Sequence, residues 1–460
     1  MTENYDVIVI GTGQAGPSLA TRFANSGKKT AIIERKLFGG TCVNVGCVPS
    51  KTLIASARAA HVARHCADFG VMIEGPVRVD MARVRARKNA VVKESSDWLL
   101  KWLKSTPNLT VIEGHARFLG DHVISVNGMT LEAPQIFINV GARPLVPALP
   151  GLAEIDYLTS SSIMDLDTLP AHLLIIGGSY IGLEFAQMYR RFGSQVTVLE
   201  AAPKVIARED EEVSLAVQRI LENEGVEFRL NAKNMRVAAA GKAIRLHAEC
   251  DGSEVEITGS HLLLAVGRLP NTGDLGLDQT GIKADARGFI LVDDQLSTSV
   301  PGIYALGDVN GRGAFTHTAY NDHEIVAANL LDGQTRRVSD RIPAYALYID
   351  PPLGRVGMSE REARASGRKV LVGKMLMTRV GRARERGETQ GFMQVLVDAE
   401  TQKILGAALL GIEADEVVHT ILDVMYANVP YTVIQRSMPI HPTVSELIPT
   451  LLGDLKPLQV

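Results

Sequence analysis

Tyr5-Asp6-Val7-Ile8-Val9-Ile10-Gly11-Thr12-Gly13-Gln14-Ala15-Gly16 is the stretch on which the architecture turns. Its first half is apolar without alternation, the pattern of a strand buried on both faces of a parallel sheet. The glycines that follow suit a phosphate. Gly11 permits a tight turn, Gly13 lets the backbone approach a pyrophosphate, and Gly16 allows helix and strand to pack closely. The helix predicted next carries Leu19, Ala20, Phe23 and Ala24 on one face, and Gly27 stops it. A second strand, Thr30-Ala31-Ile32-Ile33, ends in Glu34, placed to accept both hydroxyls of an adenosine ribose. The helix N-terminus faces the phosphate charge.

The same pattern returns later in the chain. His172-Leu173-Leu174-Ile175-Ile176 is the strand, Gly177-Gly178-Ser179-Tyr180-Ile181-Gly182 the turn, and Leu183, Phe185, Ala186 and Met188 lie on the helix, which stops at Gly193. Val196-Thr197-Val198-Leu199 then ends in Glu200, at the same interval from Gly177 as Glu34 keeps from Gly11. Ser179 replaces the second glycine and crowds the phosphate slightly. Two further apolar strands end in glycine, Ile136 to Gly141 and Leu262 to Gly267. One glycine-rich turn is weak evidence; two in matched context predict two dinucleotide sites. Two dinucleotides imply an electron relay, with one held as a flavin and the other exchanging as a nicotinamide.

With 460 residues, the chain is too long for one core, and about three domains are expected. A net charge of −3 gives no electrostatic reason to expect nucleic acid or an anionic membrane as partner. The local run Arg379, Arg382, Arg384 and Arg386 reads as a solvated loop. The polar start, Met1 to Asp6, shows no signal or transit peptide, and no apolar run reaches the ~18–20 residues that span a bilayer. A cytoplasmic protein is expected.

The 4 cysteines do not make a disulfide framework. Cys66 and Cys250 read as small buried hydrophobes. Cys42 and Cys47 stand close together in Gly39-Gly40-Thr41-Cys42-Val43-Asn44-Val45-Gly46-Cys47-Val48-Pro49-Ser50-Lys51, at the start of a predicted helix. Their sulfurs can meet if the first turn is distorted, which Gly46 helps. A helix N-terminus favours the thiolate, the nucleophilic form. No further cysteines follow at the ligand spacing of an iron–sulfur or zinc site, so no metal is assigned. His61 and His65, beside Cys66, lack a third ligand nearby and carry no metal assignment either.

This signature resembles that of the flavoprotein disulfide reductases, the class I pyridine nucleotide-disulfide oxidoreductases that include lipoamide dehydrogenase, glutathione reductase and mercuric reductase. The resemblance runs through Gly302-Ile303-Tyr304-Ala305-Leu306-Gly307-Asp308 and His441-Pro442-Thr443-Val444-Ser445-Glu446. It also takes in Gly391-Phe392 and Ile404-Leu405-Gly406-Ala407, which are similar to the family's dimerisation domain. It implies an α/β fold with two Rossmann-like domains, binding FAD and NAD(P), and a C-terminal α+β dimerisation domain. The expected limits are 1–147 and 271–340 for the FAD domain, 148–270 for the nicotinamide domain and 341–460 for the interface domain.

The resemblance also implies roles. Cys47 would lie against the flavin as the charge-transfer thiolate, and Cys42 would exchange with substrate. Lys51 would sit near the flavin and pair with Glu184. FAD would be held by Gly11, Gly13, Gly16, Glu34, Gly40, Thr41, Lys51, Gly141 and Asp308, the last on the ribityl chain. The nicotinamide would be held by Gly177, Gly182, Glu200 and Gly267, with Tyr180 as an aromatic lid. His441 and Glu446 would be a base and its orienting carboxylate, reaching into the other subunit of a homodimer. By itself, the segment around His441 also reads as a turn in which Thr443 caps a helix and Glu446 closes a capping box. His317 suits either a place near the flavin or a structural role.

Glu200 favours NADH, because a carboxylate there repels a 2′-phosphate. Ala201 and Ala202 follow where NADPH-using relatives place arginines, although Lys204 and Arg208 keep NADPH open. Three acceptor readings stand. The first is a disulfide or small thiol compound, the second a soft metal ion such as Hg(II) or Cu(II), and the third a flavin-based redox sensor. The wording of Asp350 to Gly357 resembles mercuric-reductase-like proteins. The final stretch Gly453 to Val460 lacks the cysteine pair that mercuric reductases carry there, which turns the expectation towards thiol chemistry.

Overall fold

The duplicated pattern folds as the same object twice. A computed structural model describes residues 2–459; Met1 and Val460, which bound the terminal stretches quoted above, lie outside them. In the first unit five parallel strands lie in the order Ile303–Ala305, Gln135–Ile138, Val7–Ile10, Thr30–Glu34, Leu109–Glu113. In the second the order is Leu158–Thr159, His261–Leu264, His172–Ile176, Gln195–Leu199, Val226–Arg229, again parallel. The strand before each glycine turn is central. Val7, Ile8 and Val9 are fully buried, as are Leu173, Leu174 and Ile175, which is why neither strand alternates. Each unit also carries a three-stranded meander, at 117–132 before Gln135–Ile138 and at 233–259 before His261–Leu264, each leading into the strand that pairs with the central one.

The helices between first and second strands match as well. Ala15–Asn25 buries Leu19, Ala20, Phe23 and Ala24, and Tyr180–Phe192 buries Leu183, Phe185, Ala186 and Met188. Both end in the same device. Gly27 (φ +87°) and Gly193 (φ +123°) take positive φ, and the next residue's N–H reaches back to a helix carbonyl, Lys28 to Phe23 (3.2 Å) and Ser194 to Tyr189 (3.0 Å).

The chain leaves the first unit and returns to it through two short strands, Ala142–Pro144 and Arg268–Pro270, which pair antiparallel. The second unit is therefore inserted into the first. The last part of the chain is a six-stranded sheet, Ala344–Leu347, Leu353–Gly357, Ile404–Leu410, Phe392–Asp398, Val370–Leu376 and Lys456–Pro457, with Ala414–Tyr426 packed on it. The fold is α/β with two nucleotide-binding units and a C-terminal α+β domain.

Some local expectations are corrected. The arginine run is no loop: Gly381–Glu385 is a short helix anchored by buried Ala383, and Arg386 faces Glu388 and Glu413. Cys250 is buried as expected, but Cys66 is only half-buried, its Sγ donating to the Ala63 carbonyl at 3.0 Å. The rings of His61 and His65 lie 4.2 Å apart, tilted by 35°. Among the described residues no group of three or more His, Cys, Asp or Glu side chains could hold a metal ion, and no helix is long and apolar enough to cross a membrane.

Candidate active site around the dithiol

The two glycine turns repeat one set of constraints. Gly11 N–H donates to the Ile33 carbonyl and Gly177 N–H to the Leu199 carbonyl, both at 2.8 Å. A Cβ on Gly11 would lie 2.3 Å from the Asn139 oxygen, and one on Gly177 would lie 2.4 Å from the Ala265 oxygen. Gly16 and Gly182 face the carbonyls of Gly11 and Gly177 at 2.2 and 1.9 Å in the same sense. No side chain fits there. Gly141 faces open space and a Cβ on Gly267 would meet only Leu145 at 4.0 Å, so at both it is the positive φ that asks for glycine.

The acidic residues at the second strand ends are fixed by their own turns. Glu34 accepts from Thr12 N (3.0 Å), Thr12 Oγ1 (2.6 Å) and Lys36 N (2.9 Å). Glu200 accepts from Gly178 N (2.6 Å) and Ala202 N (2.8 Å). Thr12 also ties the first turn to the cysteine segment, because its Oγ1 accepts from Gly39 N at 3.1 Å. Gly40 (φ +59°) rests on Gly13, where a Cβ would come within 2.8 Å of the Gly13 Cα.

The cysteines sit on two helices, where the sequence suggested one distorted helix. Gly40–Val45 carries Cys42; the chain breaks at Gly46, and Cys47–His65 begins with Cys47. Gly46 makes the break possible, since a Cβ would lie 2.7 Å from the Thr41 oxygen. Cys47 therefore occupies a helix N-terminus. A second helix, Thr316–Leu331, also starts there, with Thr316 Oγ1 3.2 Å from Cys47 Sγ. Two positive helix ends thus converge on one sulfur.

The thiols are consequently unequal. The Cys42 thiol, hydrogen-bonding to Cys47, is the largest influence bringing Cys47 down to about 6; burial opposes this, and Thr316 and Lys51 add to it. Cys42 is pushed far up, first because its proton serves Cys47 and then by burial. Both are free thiols, and Cys47 faces the open cleft. One turn on, Lys51 Nζ pairs with Glu184 Oε2 at 2.6 Å and lies 4.6 Å from the centre of the Tyr348 ring. Glu184 Oε1 accepts from Tyr348 N at 3.0 Å. Thr316 and Tyr348 were missed in the sequence, though Thr316 directly precedes His317.

One cleft of about 2140 Å³ runs from Gly11, Gly13 and Glu34 past the dithiol to Gly177, Tyr180 and Glu200. A single drug-sized ligand fills roughly 300–1,000 Å³, so there is room for two dinucleotides. Asp308 and Arg268 face each other across it at 3.3 Å, and burial raises the Asp308 carboxyl against the pull of Arg268. The buried Arg268 Nε has no hydrogen-bond partner in the protein, nor has His115 Nε2 on the same wall. Those two atoms face only the carboxylates of Asp308 (3.3 Å) and Asp274 (3.6 Å); with the turns closed to a Cβ and Glu34 at the strand end, such a wall is what a phosphate- and flavin-bearing group needs, so the residues fit FAD. Arg268 was also missed, despite standing next to Gly267.

His317 is tied to the Ala344 carbonyl (2.7 Å) and stacked on Phe315 at 5.4 Å; burial lowers its pKa. His441 Nδ1 bonds Glu446 Oε2 at 2.9 Å. The capping-box reading of this segment fails, because Glu446 turns to His441 and Thr443 Oγ1 donates to the Ile440 carbonyl. His441 is 81% exposed and lies apart from the cleft of its own chain.

Comparison with known proteins accords with this geometry. Residues 5–322 match the family model for pyridine nucleotide-disulphide oxidoreductases, and residues 343–452 match the dimerisation domain of that family. A probable pyridine nucleotide-disulfide oxidoreductase, RclA of Escherichia coli, is 36% identical over 98% of this chain and 99% of its own. A dihydrolipoyl dehydrogenase of Thermus scotoductus is 34% identical over 96% of each chain. A solved Cu(II) complex of the HOCl-induced flavoprotein disulfide reductase RclA from Escherichia coli superimposes with a TM-score of 0.90 at 34% identity, covering 98% of this chain and 99% of that one. The chain belongs to the pyridine nucleotide-disulphide oxidoreductase family: it is an FAD-dependent flavoprotein disulfide reductase that uses a pyridine nucleotide, and it carries a dimerisation domain.

Proposed function

We propose that this enzyme takes hydride from NADH and delivers the electron pair to a small-molecule disulfide at Cys42, with the partner subunit's His441 handling the proton. The observation that carries this reading is the unequal placement of the two thiols: Cys47 sits where two helix N-termini meet, beside Thr316 and Lys51, which favours its thiolate, while the neighbouring Cys47 and burial hold the proton on Cys42. The chemistry that bound FAD would supply is two-electron transfer between the nicotinamide and sulfur. Gly11, Gly13, Gly16, Glu34, Gly40, Thr41, Lys51, Gly141 and Asp308 would hold FAD, and Gly177, Tyr180, Gly182, Glu200 and Gly267 the nicotinamide.

Cys42 gives its proton to the partner subunit's His441 as it attacks one acceptor sulfur. The acceptor S–S bond breaks, and the first thiolate leaves with that proton. Cys47, already ionised, attacks the Cys42 sulfur of the mixed disulfide; the second thiol leaves with a solvent proton, and the Cys42–Cys47 bond closes. The hydride equivalent of NADH reopens it as one thiol and one thiolate. The sum is NADH, a proton and a disulfide giving NAD⁺ and two thiols. A base is needed because Cys42, unlike Cys47, does not ionise unaided. Glu446 orients His441, and the exposed Met438 and Ile440 beside it supply apolar surface for a partner to cover.

NADH is supported by the carboxylate of Glu200, fixed by two backbone donors at the strand end, and by Lys204, whose Nζ is engaged on the Glu209 carbonyl at 2.7 Å. The pairing of 142–144 with 268–270 supports domain limits at 147/148 and 270/271, with a further limit at 340/341. Thiol chemistry suits the reducing cytoplasm.

A second reading, reduction of Cu(II) as substrate, draws on the Cu(II) complex of the similar RclA structure. One experiment separates the two, with turnover measured for a panel of disulfides and for Cu(II), using NADH and NADPH in turn, in wild type and His441→Ala. We expect NADH to be preferred, and His441→Ala to lose about 100-fold or more with disulfides while Cu(II) turnover changes little. Loss confined to Cu(II) would overturn the disulfide reading.

A further inference from the structure

We propose that Glu209 and Tyr345 form a brace that sets the resting position of Tyr180 and so governs entry of the nicotinamide. The inference rests on the reading of Tyr180 as a lid. Its parts come from three stretches of chain. Tyr180 opens the helix Tyr180–Phe192 at the second glycine turn. Glu209 lies in the segment that follows the strand Gln195–Leu199. Tyr345 stands directly opposite Arg355 on the antiparallel strands Ala344–Leu347 and Leu353–Gly357, so their side chains share one face of the six-stranded sheet.

That face meets Glu209. The Tyr345 hydroxyl donates to Glu209 Oε1, and Arg355 Nη1 lies 3.8 Å from Glu209 Oε2. Glu209 is 1% exposed, and its Oε2 has no hydrogen-bond partner. A carboxylate so removed from water depends on those two neighbours, which makes the Tyr345 contact hard to give up. The ring of Tyr345 then meets Tyr180 edge-on at 5.5 Å and 77°, and stacks on Phe315 at 5.6 Å and 9°.

Glu209 itself is held in place. Its N–H donates to the Ile206 carbonyl (2.8 Å), and Ile206 N–H donates to the Gly178 carbonyl (2.9 Å) in the glycine turn. Ile206 has φ +40°, which a β-branched residue adopts only when its surroundings impose it. The brace therefore runs from the glycine turn through Ile206, Glu209 and Tyr345 back to Tyr180 beside that same turn. Glu209 and Ile206 lie outside the cleft lining, and Tyr345 borders the cleft beside Tyr180; none of the three is among the residues assigned to the nucleotides or the dithiol.

The test uses flavin-loaded enzyme and anaerobic stopped-flow reduction by NADH. Tyr345→Phe keeps the ring and removes the hydroxyl, and Glu209→Gln keeps the shape and removes the charge. Opening the lid should then break one contact fewer. The apparent Kd for NADH should fall about three- to tenfold in both variants, with the limiting rate changed by less than about twofold. Combined with Tyr180→Ala, neither substitution should have further effect, since both act through that ring. If Tyr180→Ala itself leaves the Kd unchanged, the lid reading has failed and the brace with it. If Tyr180→Ala lowers the Kd while Tyr345→Phe and Glu209→Gln do not, or raise it, the brace alone is overturned.

Discussion

At Cys47 the environment and not the residue type decides the chemistry. A thiol alone ionises near 8.5; here a neighbouring S–H, the Thr316 hydroxyl and Lys51 bring it to about 6, against burial and the charge of Glu184, and two helix N-termini face the same sulfur. Thiolate is then present above about pH 6 and is lost as pH falls through that value. Site-resolved alkylation of the reduced enzyme should show this midpoint for Cys47 and no comparable step for Cys42 below neutral pH. Lys51→Met should move the midpoint upward by about one pH unit. Cys42→Ala should move it further, because the Cys42 donor is the largest contributor. A midpoint that ignores Cys42 would show that the sulfurs do not share a proton. The dithiol was legible in the sequence because both cysteines and Gly46 lie in one short segment. Thr316 and Tyr348 were not, since they reach Cys47 and Lys51 only after the sheets have folded.

Among the elements, the duplicated strand–turn–helix unit makes one prediction in two versions. Gly16 and Gly182 occupy matched positions, each closed to a Cβ by a carbonyl about one turn earlier. Gly16→Ala should therefore yield protein with sub-stoichiometric FAD. Gly182→Ala should keep full FAD but lose about tenfold or more in kcat/KM for NADH. Flavin absorbance per chain and steady-state rates read the two outcomes; the same defect in both variants would contradict the division of labour. Local pattern fixed these elements: apolar strands without alternation, glycines at set intervals, a positive-φ glycine at each helix end. The break at Gly46 was harder to read, because a helix interrupted for one residue keeps almost the same apolar spacing. The turn at His441 misled for a related reason. Thr443 and Glu446 stand at capping-box spacing, but Glu446 finds a stronger partner in His441.

At the scale of the whole molecule, long-range polar contacts set how the parts meet, and these had no local signature. Buried Arg191, on the helix after the second glycine turn, pairs with Glu224 (2.7 Å) and Asp350 (2.5 Å), and Arg58 on the helix of Cys47 pairs with Asp350 and with Glu388 (2.7 Å). Asp350 thereby joins the dithiol helix, the nicotinamide unit and the interface domain. His441 does not line the cleft of its own chain, and the proposed mechanism takes this residue from the other subunit. Subunit complementation tests this directly. Cys42→Ser and His441→Ala homodimers should each be nearly inactive with disulfides. In a mixed dimer, the intact cysteines of the His441→Ala chain face the intact histidine of the Cys42→Ser chain, restoring one site of two. Random reassortment makes about half of the dimers mixed, so an equimolar mixture should recover about a quarter of wild-type turnover. If both residues served the same subunit, no mixed dimer would hold a complete site, and the mixture would show only the average of its inactive parents.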